Sequence, residues 1–219
     1  MYTQFLTRRR AVLLLLLAAS LLLIPLLLQL PSVLEWDADL FLAINSNYQR
    51  SELVDVFLCI LTEFGGIPFL VVLSGLLYAR GYRSWAYAII AAIICYSAVG
   101  LGTRIFIDRP RPYITYPWIH HLQTVYNSSY PSGHSMGIAS LCGILLAERN
   151  KLTIPMAIGV VAVPISRIYI GVHYPLDVVG GVMIGLLIGL LVGDIFLREG
   201  VDAGDEKRQN ETQAEPREL

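Results

Sequence analysis

The chain has 219 residues, 55% of them hydrophobic and only 15% charged, with 16 basic against 17 acidic side chains and a net charge of −1. Soluble domains carry roughly 25% charged residues, nucleic-acid-binding surfaces need a basic excess, and disordered chains are poor in apolar residues, so the composition excludes all three and points to a membrane protein. Cys59, Cys95 and Cys142 fall in apolar runs and read as small hydrophobes, neither a disulfide framework nor reactive thiols.

A spanning helix needs about 20 mostly apolar residues. Ala11–Leu30 supplies the first, uncharged throughout and preceded by Arg8, Arg9 and Arg10. Its apolar run exceeds the roughly 7–15 residues of a secretory signal core, and no small-residue cleavage pattern precedes Pro31, so it reads as a retained anchor. From Glu35 to Asp55 apolar and acidic residues alternate, as in a segment lying along the membrane interface. The second span, Val54–Ala79, contains Glu63, Gly65, Gly66 and Pro68 and is expected to break or kink there. Trp85–Thr103 is the third. Ser135–Ala147 and Leu152–Ile165 are short for spans unless the flanking residues continue their helices, and Leu176–Leu197 is the sixth. In the sixth, Gly181, Gly185, Gly189 and Gly193 recur every fourth residue, a stripe that lets another helix approach closely. The partner is expected to be a span of the same chain; a dimer face is the second possibility, and the oligomeric state stays open. The expected fold is all-α, an integral membrane bundle of six transmembrane helices over residues 1–199, with a polar, acid-rich, disordered tail at 200–219.

Lys and Arg at the span ends set the orientation. Eleven fall on one side (Arg8, Arg9, Arg10, Arg80, Arg83, Arg149, Lys151, Arg198, Lys207, Arg208, Arg217) and five on the other (Arg50, Arg104, Arg109, Arg111, Arg167). The side with eleven is expected to be cytoplasmic, with both termini inside the cell.

Polar residues at membrane depth are costly and tend to be functional. Here they gather in three segments at the outer span ends: Arg104 to Pro112, Tyr130 to Ser135, and Ser166 to Asp177. Taken singly, each has an ordinary reading: an interfacial Arg-rich loop, a turn leading into a helix with Ser132 or His134 near its N-terminus, and a hydrogen-bonded His173–Asp177 pair. Together they place four arginines, two histidines and a carboxylate on one side next to lipid. Arginine forks match phosphate oxygens and stay charged at any working pH. Ser132, Gly133 and the following N–H groups open a helix, a natural anion site. The combination is suited to holding a phosphate, and the two histidines indicate that it also reacts.

These segments resemble the signature of the type 2 phosphatidic acid phosphatase (PAP2) superfamily, relatives of the vanadium haloperoxidases, whose pattern is Lys-x6-Arg-Pro, Pro-Ser-Gly-His and Ser-Arg-x5-His-x3-Asp. Pro131-Ser132-Gly133-His134 matches the second part, and Ser166-Arg167 with His173 and Asp177 the third. Arg104 through Arg111-Pro112 keeps the spacing of the first, with Arg in place of the family Lys. The resemblance implies the membrane lipid phosphatase branch and a haloperoxidase-like core. It implies His173 as nucleophile forming a phosphohistidine and Asp177 accepting a hydrogen bond from its other ring nitrogen. His134 would be the acid that protonates the leaving oxygen and then the base that activates water. Arg104, Arg111, Arg167, Ser132 and Gly133 would bind the phosphate oxygens, with no metal and no other cofactor. Arg109, outside the fixed positions, is expected to be a neighbouring phosphate or headgroup contact.

The expected partners are a lipid phosphate and membrane lipids, and no nucleic acid. The substrate expected first is a polyprenyl diphosphate such as undecaprenyl diphosphate, with phosphatidylglycerophosphate and phosphatidate next, hydrolysed at the outer face. The alternatives are a phosphotransferase of the same chemistry, a lipid transporter, and a metal site built from His120, His121, His173 and Asp177.

Overall fold

The computed structural model describes residues 2–46 and 51–198, and among these every regular element is helical. In chain order they are α1 (Tyr2–Leu27), α2 (Pro31–Ser46), α3 (Glu52–Thr62), a 3-10 turn (Glu63–Gly65), α4 (Ile67–Ala79), α5 (Arg83–Phe106), α6 (Pro112–Thr115), α7 (Gly133–Ala147), α8 (Thr153–Tyr169) and α9 (Pro175–Gly193), which runs on into a π-helical turn (Asp194–Arg198). The expected tail, and with it Lys207, Arg208 and Arg217, lies outside the described residues, as does Arg50.

Each apolar run expected to span is a helix or a bent pair of helices. Three segments, Arg8–Leu27, Arg83–Phe106 and Pro175–Leu197, are long and apolar enough to cross a bilayer, and α3 with α4 makes a fourth, bent by 55°. α7 and α8 have 15 and 17 residues, about 22 and 26 Å, shorter than a hydrocarbon core of roughly 30 Å. Both gain length from motif residues: α7 begins at Gly133, and α8 runs past Ile165 to include Ser166 and Arg167. Leu15, Leu22 and Leu26 of α1 are exposed, as apolar side chains facing lipid would be.

The glycine stripe of α9 explains how the bundle is held. A Cβ on Gly185 would collide with the Met136 backbone, one on Gly189 with Ser140, and one on Gly193 with Ala147. The stripe is therefore taken up by α7 of the same chain, and the two backbones pack closer than any side chain allows. The buried apolar cluster around this seam includes Leu70, Ile89, Tyr96, Met136, Ile184 and Ile188. α7 and α9 start at the same end, so their packing brings residues 132–135 and 173–177 together, and Ser132 N–H donates to the Asp177 carbonyl at 3.1 Å.

The break between α3 and α4 serves the same end. Gly65 lies against the His134 carbonyl and Gly137 against the Gly65 carbonyl, so the start of α7 crosses the broken span where no side chain intervenes. Within the Glu35–Asp55 stretch, expected along the interface, Glu35–Ser46 belongs to α2, with a buried stripe of Asp37, Phe41 and Asn45 at successive i, i+4 positions, and Glu52–Asp55 opens α3. This stripe packs over the neighbouring ends of α8 and α9, in one cluster with Ile168, Tyr174 and Val178. At the opposite end of the bundle, Asp194 pairs with Arg9 at 2.5 Å and Arg10 at 3.5 Å, tying the start of α1 to the end of α9.

Candidate active site

Local rules place the third motif. Pro175 occupies the first turn of α9, where its missing N–H costs nothing, and Tyr174 before it is extended (φ −79°, ψ 161°). Asp177 reaches back to accept from Tyr174 N–H at 2.8 Å, which turns its carboxylate toward His173. His173 is 3% exposed and Asp177 0%. Their closest approach, Nδ1 to Oδ2, is 3.7 Å. The expected hydrogen bond is therefore not closed: Oδ2 already accepts from Ser129 Oγ at 2.5 Å and from Tyr174 N–H, and Oδ1 from Arg109 at 2.7 Å. The other ring nitrogen, Nε2, lies 3.2 Å from Arg111 Nη1. A guanidinium only donates, so Nε2 is the unprotonated nitrogen and the proton sits on Nδ1, facing Asp177. Burial, aided by Arg111 and Arg167 and opposed by Asp177, pushes the His173 pKa down to about 4, which keeps the ring neutral at ordinary pH.

Around this imidazole the arginines divide. Arg111 donates to Val172 O at 2.8 Å and to Asn127 O at 2.9 Å and Oδ1 at 2.5 Å. Burial lowers its pKa to about 10, and the group stays charged. Arg167, 2% exposed, donates to Gln123 Oε1 at 2.8 Å and to Thr62 Oγ1 at 3.3 Å, while its buried Nε has no hydrogen-bond partner. Arg104, in the last turn of α5, likewise keeps a buried Nε without a partner and lies close enough for its charge to act on Arg111. Among the described residues none of these three makes an ion pair. Three guanidiniums without an ion-pair partner within 4 Å, with Glu63 acting on Arg167 and Asp177 on Arg111 from farther off, attract a multiply charged anion.

His134, the second residue of α7, lies within electrostatic reach of Arg167, His173 and Arg111. Gly133 faces open space, with no heavy atom within 4 Å of where a Cβ would stand, so a ligand can approach its backbone. Ser132 is fully buried as the N-cap of α7, its Oγ accepting from Ser135 N–H at 3.4 Å and lying 3.0 Å from Ser135 Oγ. In both contacts Ser132 Oγ is the acceptor, so the cap leaves its own O–H as the group that the expected phosphate contact would use.

Arg109 corrects an expectation. Its guanidinium is 8% exposed and held between Asp37 at 2.6 Å and Asp177 at 2.7 Å, with its carbon 4.0 Å from the Tyr174 ring centre. Burial alone would lower its pKa, but the two carboxylates raise it above the ordinary value. Both ends of the fork are taken, so it is not a phosphate contact. Nor is the alternative metal group assembled: His121 stacks on Tyr113 with ring centres 4.6 Å apart, and among the described residues no three His, Cys, Asp or Glu side chains gather as a metal site. Thr62, Gln123, Asn127, Ser129 and Asp37 were not singled out from sequence. They are polar residues in loops or on amphipathic helices, and only Asp37, at helical spacing from Phe41, left a trace of its burial.

Beside the site an apolar groove of about 750 Å³ runs between α4, α5, α7 and α8, lined among others by Phe64, Phe69, Trp85, Ile138, Met156 and Val163. Its upper end is at Phe64 and Val163, next to the Gly65–His134 contact.

Fixed positive charge beside a buried imidazole, in a helical membrane bundle with an apolar groove on its flank, fits the class of integral membrane lipid phosphatases. Residues 81–199 match the PAP2 superfamily, and the chain belongs to it. The undecaprenyl-diphosphatase BcrC of Bacillus subtilis is 23% identical over 149 residues, 67% of this chain and 77% of that protein. Decaprenylphosphoryl-5-phosphoribose phosphatase of Mycobacterium tuberculosis is 31% identical over 130 residues, 57% of this chain and 71% of that protein. The crystal structure of the PAP2-type phosphatidylglycerolphosphate phosphatase of B. subtilis superposes with a TM-score of 0.70 at 25% identity, covering 86% of this chain and 94% of that one. The chain is a multi-pass membrane enzyme acting on lipid phosphates.

Proposed function

We propose that the chain hydrolyses a polyprenyl diphosphate through a phosphohistidine on His173, at the outer face of the membrane. The observation that carries this reading is Nε2 of His173, 3.2 Å from Arg111 Nη1, among three arginines that make no ion pair within 4 Å. Arg104, Arg111 and Arg167, with the Gly133 N–H, hold the terminal phosphate and neutralise the charge that spreads over its oxygens. Their fixed charge serves where other phosphatases use a metal. His173 Nε2 attacks the terminal phosphorus, the bond to the bridging oxygen breaks, and His134 gives its proton to the departing polyprenyl phosphate. Water then attacks phosphorus as His134 takes back a proton, the N–P bond breaks, and inorganic phosphate leaves. Asp177 stabilises the positive charge that the His173 ring carries while phosphorylated, and closing the 3.7 Å gap to Nδ1 accompanies that charge. Ser132 shapes the helix start behind the phosphate.

The prenyl class is supported by prenyl-lipid phosphatases among the relatives and by the apolar groove near the start of α7; phosphatidylglycerophosphate is the next candidate. The outward orientation is supported by the charge bias, since the site lies opposite the end where Arg9 and Arg10 meet Asp194. Residues 1–199 act as a single phosphatase domain. The test is phosphate release by the purified protein in detergent from undecaprenyl diphosphate, phosphatidylglycerophosphate and phosphatidate, with and without chelator. The expected result is fastest release from the prenyl substrate, unchanged by chelator, with free phosphate as product. A faster glycerophospholipid substrate overturns the prenyl assignment, and a phosphorylated second lipid in place of free phosphate overturns hydrolysis.

A further inference from the structure

Helix α2 lies outside the segment that matches the family, residues 81–199, yet it reaches the reacting end of the bundle. Asp37 is 0% exposed and uses both carboxylate oxygens there: Oδ2 accepts from Arg109 at 2.6 Å and Oδ1 from Leu176 N–H at 2.9 Å. One helical turn on, Phe41 packs edge-on against Tyr174, ring centres 5.4 Å apart, and a turn further Asn45 donates to the Tyr169 carbonyl at 3.0 Å. Thus α2 pairs with an N–H at the start of α9 and a carbonyl at the end of α8, the two helix ends that flank His173.

The Asp37–Arg109–Asp177 chain is buried throughout, and a buried ion network is a poor source of stability compared with apolar packing of the same volume. What it does provide is direction. Arg109 takes Oδ1 of Asp177, and this leaves Oδ2 toward Nδ1 of His173. Without Asp37, Arg109 would keep an unmatched charge that draws on Asp177 alone. We propose that Asp37 is a positioning residue for the reaction, acting through Arg109 to fix and keep anionic the Asp177 carboxylate that faces His173. This rests on the assignment of His173 as nucleophile and Asp177 as its partner.

The test is a double-mutant cycle on the rate of phosphoenzyme formation from radiolabelled undecaprenyl diphosphate, by acid quench. Asp37→Asn, nearly isosteric, is expected to slow phosphoenzyme formation about tenfold with KM within about twofold. In an Asp177→Asn background the same change is expected to alter the rate less than about twofold, because the group it acts through is gone. An unchanged rate in the single variant, or an equal fall in both backgrounds, overturns the proposal, since a merely structural role is additive. If Asp37→Asn does not fold, Asp37→Asn combined with Arg109→Gln removes both charges and leaves no unpaired buried ion; the same tenfold loss supports the proposal and wild-type rates overturn it. Absence of any phosphoenzyme in the wild type, or full activity of Asp177→Asn, would instead refute the underlying assignment.

Discussion

At the Asp194 end of the bundle, one buried carboxylate receives Arg9 and Arg10 from α1, so the charge there is matched. At the His173 end, Arg109 is matched twice over by Asp37 and Asp177, while Arg111, only two residues on, and Arg104 and Arg167 make no ion pair within 4 Å among the described residues, Glu63 reaching Arg167 only from farther off. A buried guanidinium N–H without a partner costs about 1–3 kcal/mol, and both Arg104 and Arg167 have one. At the first end the arginines are paired with a carboxylate; at the second they are left for the phosphate proposed above. The difference separates charge that holds helices together from charge that the proposed phosphate would match.

The contrast can be broken from either side. Replacing His173 with Ala should lower kcat about a thousandfold or more and abolish the phosphoenzyme, with the protein still folded in detergent; near-normal turnover would remove the nucleophile assignment. Arg111→Lys or Arg167→Lys keeps the charge but loses the fork, and phosphate release should fall about a hundredfold. Gly189→Val sets a side chain into the Ser140 backbone and should separate α7 from α9, costing about 3 kcal/mol in a thermal or denaturant unfolding assay. Asp194→Asn at the other end should cost about 1–2 kcal/mol of stability while kcat and KM of the folded fraction stay within about twofold, and a large loss of turnover there would erase the distinction between the ends. The smallest effect concerns pH. Because the His173 pKa is lowered to about 4, the ring stays neutral as pH falls from 7 to 5, so kcat/KM should show no acid limb from this group near the ordinary imidazole value of about 6.5. A limb at that value which disappears in a phosphoenzyme assay of the His134→Gln variant would belong to His134; one that remains would show His173 titrating as in water.

Much of the site was legible because its chemistry is concentrated in short segments. Arg104, Arg111, His134, Arg167, His173 and Asp177 were marked by charge at the ends of apolar runs, and Pro175 correctly placed His173 just before α9 and Asp177 just inside it. The break in the second span followed from Gly65, Gly66 and Pro68. Arg109 was misread because a guanidinium in an Arg-Pro-Arg-Pro run looks the same whether it faces a phosphate or a carboxylate 72 residues away in the chain. Ser132 had two readings, ligand and cap, and its contacts with Ser135 show the cap while leaving its O–H to the other.

The sequence by itself determined the membrane setting, the helical runs and the residue types of a phosphate site, since these depend on local hydropathy, turn chemistry and charge. The tertiary structure decided which cations lack an ion pair, which ring nitrogen of His173 faces Arg111 and which faces Asp177, and why α2 belongs to the reacting end. Those properties depend on distances between segments far apart in the chain. They are set by the glycine seam of α7 and α9 and by the buried stripe of α2, contacts that no local pattern specifies.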